Sequence, residues 1–425
     1  MDTALPTRWI ASLRTGSWLT AERAQVWALA ALVAAVGGLV YLVATSNGFI
    51  DYQGRPLGTD FSNVYAAGTY VLEGRATAPF DPPVQYAREQ AIFGESTPFY
   101  GWHYRPFFLF VAALLALMPY TMALAAWQGI TLLLFLLAIR AIIRDGTPPA
   151  HKEADGARPS WLLLAAAFPA VFVNLGHGHN GFLTAALLGG GLVLLDRRPI
   201  VAGILFGLMA YKPQFGLMLP LALAADGRWR TIAAAAITVA ALALITTLVF
   251  GVDVWSAFAA STRYSREIVL ETGETGWHKI QSVFAWVRMW GGSVPLAYAA
   301  QTLLTVATAG AVIWLWRGNA PFPRKAAGLA LAAILATPYS LDYDMMVLAP
   351  AIAFLAVNGR AHGFGAYEKT ALAMLWLVPL VARPFAEATL VPLGVIAILA
   401  VFIIGLRGAG AFHRTGTAEP AAVQH

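Results

Sequence analysis

The chain has 425 residues, 59% of them apolar and only 12% charged, with a formal net charge of +6 and no cysteine. Soluble domains carry about 25% charged residues, so this composition excludes a soluble globular protein and describes an integral membrane one. The missing cysteines exclude disulfides, iron–sulfur clusters and thiol catalysis, and the cations, scattered through short loops, form no run suited to nucleic acid.

Residues 1–23 carry Arg8, Arg14 and Arg23 and lead into the apolar block Val26–Val43. That block is longer than the apolar part of a signal peptide, and no small-x-small cleavage site follows before Asn47, so it reads as a retained first helix. Residues 46–104 are then polar, aromatic and charged. Within them Asp60 precedes Phe61-Ser62-Asn63-Val64-Tyr65-Ala66-Ala67-Gly68, the start of a short helix. The next stretch, Tyr104 to Ile143, is 40 residues long. As one helix it would measure roughly 60 Å, twice the hydrocarbon core. Two spans would move Arg140, Arg144, Lys152 and Arg158 to the outer side and invert every later loop. Residues 104–117 are therefore read as a juxtamembrane or re-entrant helix, broken at Pro119-Tyr120, with 121–143 as the span.

Apolar blocks at 160–175, 181–196, 199–211, 214–226, 229–250, 294–316, 325–337, 343–358, 369–382 and 386–406 follow. With 24–45 and 121–143 they predict an all-α polytopic membrane protein of about twelve transmembrane helices, with juxtamembrane helices in a long first outer loop. Residues 199–211 make only about 20 Å of helix, which suits a site recessed in protein. Residues 144–159 read as a cytoplasmic loop, and the tail after Gly408 as disordered. With both termini cytoplasmic, 18 of the 28 basic residues fall on the cytoplasmic side. The opposite side holds 10 basic and 13 acidic residues, the expected positive-inside bias.

On this topology the unusual polar residues gather on the outer face. Asp60, Tyr65 and Arg105 belong to the first outer loop, His177, His179 and Asn180 to the second, and Lys212 and Gln214 to the third. The fourth contributes His278, Lys279 and Gln281, and the fifth Asp342 and Asp344. Ionisable groups at membrane depth are costly and usually functional. Asp60 is read either as a helix N-cap or as a general base toward an acceptor hydroxyl. Lys212 is read as a snorkelling lysine or, with Pro213 breaking the helix behind it, as a point cation for a lipid phosphate. Arg105 is an interfacial arginine or a bidentate phosphate ligand. An isolated His-x-His lacks the partners of a metal site, so His177 and His179 are read as sugar or phosphate contacts or as two loop histidines at the interface, and no metal is expected. Asp342 and Asp344 either cap a helix or bind sugar hydroxyls, one of them serving as a second acid. His278 and Lys279 are leaving-group candidates or members of a solvated loop. No Walker loop, dinucleotide fingerprint, HExxH helix or nucleophile elbow occurs, so the energy for any reaction comes from the substrate or from a gradient.

The order and spacing of several motifs resemble glycosyltransferase family 87, within the GT-C superfamily of membrane glycosyltransferases. They are Gly58-Thr-Asp-Phe-Ser-Asn-Val-Tyr-Ala-Ala67, Tyr104-Arg-Pro-Phe-Phe108 with Pro119-Tyr120, Gly178-His-Asn180 and Arg198-Pro-Ile-Val-Ala-Gly203. Tyr211-Lys-Pro-Gln214, Gln281-Ser282 and Pro338-Tyr-Ser-Leu-Asp-Tyr-Asp344 continue the series, and the likeness covers about residues 25–350. Two departures stand out: His179 where the family commonly has Gly-Gln-x-Asn, and Arg105 where it often has Tyr-Pro-Pro. The resemblance implies a cytoplasmic segment 1–23, a catalytic module 24–290 with outer loops 46–120 and 251–283, a C-terminal transmembrane module 291–407 and a tail 408–425. It implies a hexosyltransferase, by family habit a mannosyltransferase, of the bacterial cytoplasmic membrane. That enzyme would move sugar from a polyprenyl-phosphate donor to a lipid or glycan acceptor by single displacement, with no other cofactor. Asp60 would be the base. Lys212, Arg105, His179 and Lys279 would hold the donor phosphate. His177, Asn180, Gln214, His278, Gln281, Asp342, Asp344 and Tyr65 would contact sugar or acceptor. The alternative is a lipid-linked sugar flippase or transporter, which would need gates on both faces.

Overall fold

A computed structural model describes residues 4–146 and 160–415. The described residues are helical, with isolated backbone bridges in place of strands. Helix α1 (Ala4–Thr15) precedes α2 (Ala21–Ala44), which Thr20 caps by accepting from the Arg23 N–H. Nearly the whole surface of α2 is exposed and apolar, from Val26 and Trp27 to Val43. It leans on the short helices α7 (Trp161–Ala166) and α8 (Pro169–His177).

The first polar run folds as α3 (Thr59–Leu72) and α4 (Pro82–Phe93), with Asp81 capping α4. The 40-residue apolar stretch breaks where Pro119 was expected to break it: a 3₁₀ turn Pro106–Phe108, then α5 (Leu109–Ala116), then α6 (Tyr120–Gly146). Helices α3 and α5 approach closely because a Cβ on Gly68 would run into the Ala112 carbonyl.

Next come α9 (Gly181–Leu194), α10 (Pro199–Leu208), α11 (Leu219–Ala225) and α12 (Trp229–Phe250). Two 3₁₀ turns, Met209–Tyr211 and Pro213–Gly216, separate α10 from α11 and leave Lys212 at the joint. Helix α13 (Asp253–Ser265) runs into a π-helical segment, Arg266–Thr272, and a 3₁₀ turn Trp277–Lys279. The remainder is α14 (Val283–Met289), α15 (Val294–Arg317), α16 (Phe322–Leu335), a 3₁₀ turn Asp342–Val347 leading into α17 (Leu348–His362), α18 (Glu368–Thr389) and α19 (Leu393–Thr415). The core lies around α9, α16 and α17, whose residues are buried almost throughout.

Four expectations change. Among the described residues six helical stretches are long and apolar enough to cross a membrane: α2, α6, α12, α15, residues 342–362 and α18. The other apolar helices are shorter, so a count of twelve spans does not stand on helix length. Helix α9 sits inside protein, where a short helix can satisfy its ends without lipid contact. The expected span 160–175 breaks at Ala167-Phe168, ahead of Pro169, which opens α8 at its first turn. The expected gap between 369–382 and 386–406 is closed: α18 runs through Arg383 and Pro384, and the break comes at Leu390, in the left-handed conformation. Helix α19 also continues past Gly408, where the tail was expected to begin, as far as Thr415; residues 416–425 and most of the expected loop 144–159 lie outside the described residues.

Ion pairs mark one end of the bundle. Arg197 pairs with Asp145 at 2.9 Å, Arg228 with Asp196 at 2.6 Å, and Lys325 with Asp226 at 3.1 Å. Four loops assigned to one side by their cations therefore meet in space.

Candidate active site

Two glycines bring the first polar run against the loop after α8. Gly58 stands in the left-handed conformation at φ 67° and Gly178 at φ 63°. A Cβ on Gly178 would lie 2.6 Å from the Phe61 Cβ and 3.1 Å from the Gly58 Cα, so Gly178 has no room for a side chain, and both positions need the left-handed backbone that glycine adopts freely. This backbone contact sets Asp60 beside His177. Gly58, not Asp60, is the N-cap residue of α3, and no side chain caps that helix. The capping role considered for Asp60 is therefore absent, and its carboxylate stands in the first turn with its side chain 21% exposed.

Asp60 Oδ2 lies 4.0 Å from His177 Nδ1, and that same nitrogen shares a 2.8 Å hydrogen bond with Thr59 Oγ1. Burial pushes the Asp60 carboxyl above the usual carboxylate range; His177, Lys212 and Lys279 pull it back, and Asp342 adds to the rise. These groups thus share one electrostatic environment.

Lys212 is buried and its Nζ donates to Asp344 Oδ1 at 2.7 Å. Asp344 Oδ2 accepts from the Leu341 N–H at 3.0 Å, which fixes the pair against the turn before α17. Tyr343 fills the space between. It stacks on His179 with ring centroids 3.5 Å apart, meets His177 edge-on, and presents its face to Lys212 Nζ at 5.1 Å. His179 is held by Tyr104, whose hydroxyl lies 3.2 Å from its Nε2, and by the buried Asn174 amide, which donates to its carbonyl. His179 Nδ1 and Asn180 Oδ1 are both buried and find no partner among the described residues. Other buried side chains, such as Gln128 and Trp102, also hold unpaired polar atoms, but these two sit on consecutive residues beside Lys212 and Tyr343.

The rim on the other side is built by residues 277–281. Gln281 N donates to Ser340 O, Gln281 Oε1 accepts from the Gly394 N–H, and Gln281 Nε2 donates to the His278 carbonyl. Gln281 is therefore a brace between three segments. Asp342 pairs with Arg383 at 3.5 Å, and its Oδ1 accepts from the Tyr343 N–H. Lys279 lies half-buried within electrostatic reach of Arg383, Asp342 and Asp60.

Asp60, His177, His179, Asn180, Lys212, Lys279, Asp342 and Asp344 are thus drawn into one region. Arg105 follows Tyr104 at the N-cap position of the 3₁₀ turn before α5 and has no ion pair among the described residues. Tyr65 donates to the Met118 carbonyl at 2.9 Å and belongs to an aromatic cluster with Phe61 and Tyr120. Gln214 is half-buried in the turn after Lys212, and His278 is half-buried on the rim. Sequence reasoning missed Thr59, Tyr104, Tyr343 and Arg383. Only Arg383 left a usable trace, as a cation in the three-residue gap between two apolar blocks. It also missed Glu89, a fully buried carboxyl that accepts from the Tyr100 and Gly101 N–H groups and the Gln85 amide and so holds the loop leading to Tyr104. Burial pushes that carboxyl up to about 7.

A helical membrane bundle that gathers a carboxylate, two histidines and a buried lysine at one end has the make-up of a membrane-embedded enzyme. The profile of glycosyltransferase family 87 matches residues 102–338, more than half of the chain, and the chain belongs to that family of membrane glycosyltransferases. No curated protein and no solved structure matches it. The matched segment holds Tyr104, the two histidines, Lys212 and Lys279; Asp60, Asp342, Asp344 and Arg383 lie outside it.

Proposed function

We propose that this protein transfers a hexose, mannose in the first instance, from a polyprenyl-phosphate donor to a hydroxyl of a lipid or glycan acceptor at the outer face of the bacterial cytoplasmic membrane. Both termini are then cytoplasmic. Asp60 takes the acceptor proton, and the acceptor oxygen attacks the anomeric carbon. The bond from that carbon to the phosphate oxygen breaks, and polyprenyl phosphate leaves with the electron pair. A single displacement of this kind inverts the anomeric configuration. The reaction as proposed draws its positive charge from side chains. His179 and Asn180 offer their unpaired polar atoms to the sugar, and Lys212, held by Asp344, keeps N–H groups for the donor.

The observation that carries this reading is Asp60 itself: a partly exposed carboxylate, raised by burial, fixed beside His177 by the two-glycine contact. A raised carboxyl is a stronger base once ionised. The test is transfer of labelled mannose from synthetic polyprenyl-phosphate mannose in detergent, with Asp60→Asn against wild type. Loss of the base should lower the rate by about 10²–10⁴-fold. A variant that keeps wild-type turnover would remove Asp60 from the role.

A further inference from the structure

A second concave site is built from other residues than those around Asp60. Beyond the end of α3, residues 74–84 face α13 across an open cavity of about 730 Å³. That volume falls within the roughly 300–1,000 Å³ of small-molecule sites. One wall is a single stripe of α13, with Ala257, Ser261 and Tyr264 at the i, i+4 and i+7 spacing that shares a helix face. The other wall brings Arg75, Asp81 and Phe80, whose ring packs edge-on against Phe258.

The polar groups of this cavity have unused capacity. Ser261 is only 6% exposed, yet its hydroxyl, like that of Tyr264, finds no hydrogen-bond partner among the described residues. Asp81 accepts the Val84 N–H with one carboxylate oxygen and keeps the other for a ligand. Arg75 reaches Glu73 only at 3.9 Å, and the tighter partner of Glu73 is Arg88 at 2.6 Å. Arg75 and Asp81 set one positive and one negative charge on the same cavity, so a charged occupant gains from one and loses to the other. A neutral, hydroxyl-rich ligand suits both, because a hydroxyl donates to a carboxylate and accepts from a guanidinium. The partly exposed ring of Tyr264 adds an apolar face for a sugar ring to lie against.

We propose that this cavity binds a neutral oligosaccharide, the part of a glycan acceptor that lies beyond the sugar being joined. This rests on the transferase reading above and chooses a glycan over a bare lipid as its acceptor. The cavity and the site share a strap, residues 102–104. Trp102 meets Phe80 edge-on with ring centroids 6.4 Å apart, and His103 shares a 2.8 Å hydrogen bond with Ser265, next to Tyr264. The Tyr104 hydroxyl lies 3.2 Å from His179 Nε2. A glycan seated in the cavity is therefore separated from His179 by this strap alone.

Binding without transfer tests the cavity apart from catalysis. Purified full-length protein in detergent is titrated with neutral tetrasaccharides of mannose, glucose and galactose, with the three free hexoses, and with an uncharged glycine–serine peptide of matching length. Wild type should bind at least one tetrasaccharide ~10-fold or more tighter than its hexose, the scale of one or two added hydrogen bonds. Tyr264→Ala should weaken that binding by ~10-fold and Ser261→Ala by ~3-fold, both at the wild-type melting temperature, and Tyr264→Phe should recover part of the loss. In transfer assays Tyr264→Ala should raise KM for an oligosaccharide acceptor more than it lowers kcat. No saturable binding of any tetrasaccharide, or unchanged affinity in folded Tyr264→Ala and Ser261→Ala, would overturn the proposal. Peptide binding as tight as that of the best tetrasaccharide would overturn the sugar identity of the ligand. If a tetrasaccharide binds here while Asp60→Asn keeps wild-type turnover, the cavity stands and the base assignment falls. If Asp60→Asn abolishes transfer while no tetrasaccharide binds, the reverse holds.

Discussion

At the residue scale, His177 joins the base to its surroundings. Its ring lies 4.0 Å from the Asp60 carboxylate, and its positive form favours the ionised acid. The base works only when deprotonated, so a raised carboxyl moves the acid limb of the rate profile above the usual carboxylate range. Replacing His177 by Gln removes one of the groups that lower it. The acid limb of kcat against pH should therefore move to higher pH in His177→Gln, while the plateau keeps measurable activity. An unshifted limb would show that His177 does not tune Asp60. Tyr343 makes a different point about single residues: it touches His177, His179 and the face toward Lys212 at once, and no local feature of the chain announces this.

At the element scale, the site depends on how short helices end. Helix α8 stops at Gly178 in the left-handed conformation, and α3 starts at Gly58 in the same one. A side chain at Gly178 would press on Phe61 and strain its own backbone. Gly178→Ala should cost on the order of 1–3 kcal/mol and separate His177 from Asp60. The expected result is a lower melting temperature in detergent together with a fall in transfer rate; a variant unchanged in both would mean the two loops adapt freely. The 3₁₀ turns around Lys212 act similarly, since the break at Pro213 points the lysine inward to Asp344 instead of out to the interface.

At the scale of the whole molecule, the chain separates its charges. Asp145, Arg197, Asp196, Arg228, Asp226 and Lys325 meet at one end, while Asp60, Lys212 and Asp344 belong to a region built from other loops. In the orientation proposed above, the first end faces the cytoplasm. A chain without cysteine permits a direct check. Gln53→Cys, in the loop before α3, should react with a membrane-impermeant maleimide in intact cells, and Asn319→Cys, between α15 and α16, only after permeabilisation. The opposite pattern would invert the proposed orientation.

Much of this was legible in the chain. Apolar blocks and the Pro119 break specify helices and one of their ends, because hydrocarbon imposes those constraints locally, residue by residue. Lys212 also stood out, since an ionisable group between two apolar blocks is rare. What only tertiary structure decided is who meets whom. Tyr65 carries suitable chemistry but is spent on the Met118 carbonyl, whereas Tyr343 and Arg383 join the site through packing of the turn before α17 and of α18. Span number was likewise undecided, because a short apolar helix looks the same in sequence whether lipid or protein surrounds it. Contacts between distant segments depend on side-chain shape and backbone approach, such as Gly58 against Gly178, and hydropathy carries no record of either.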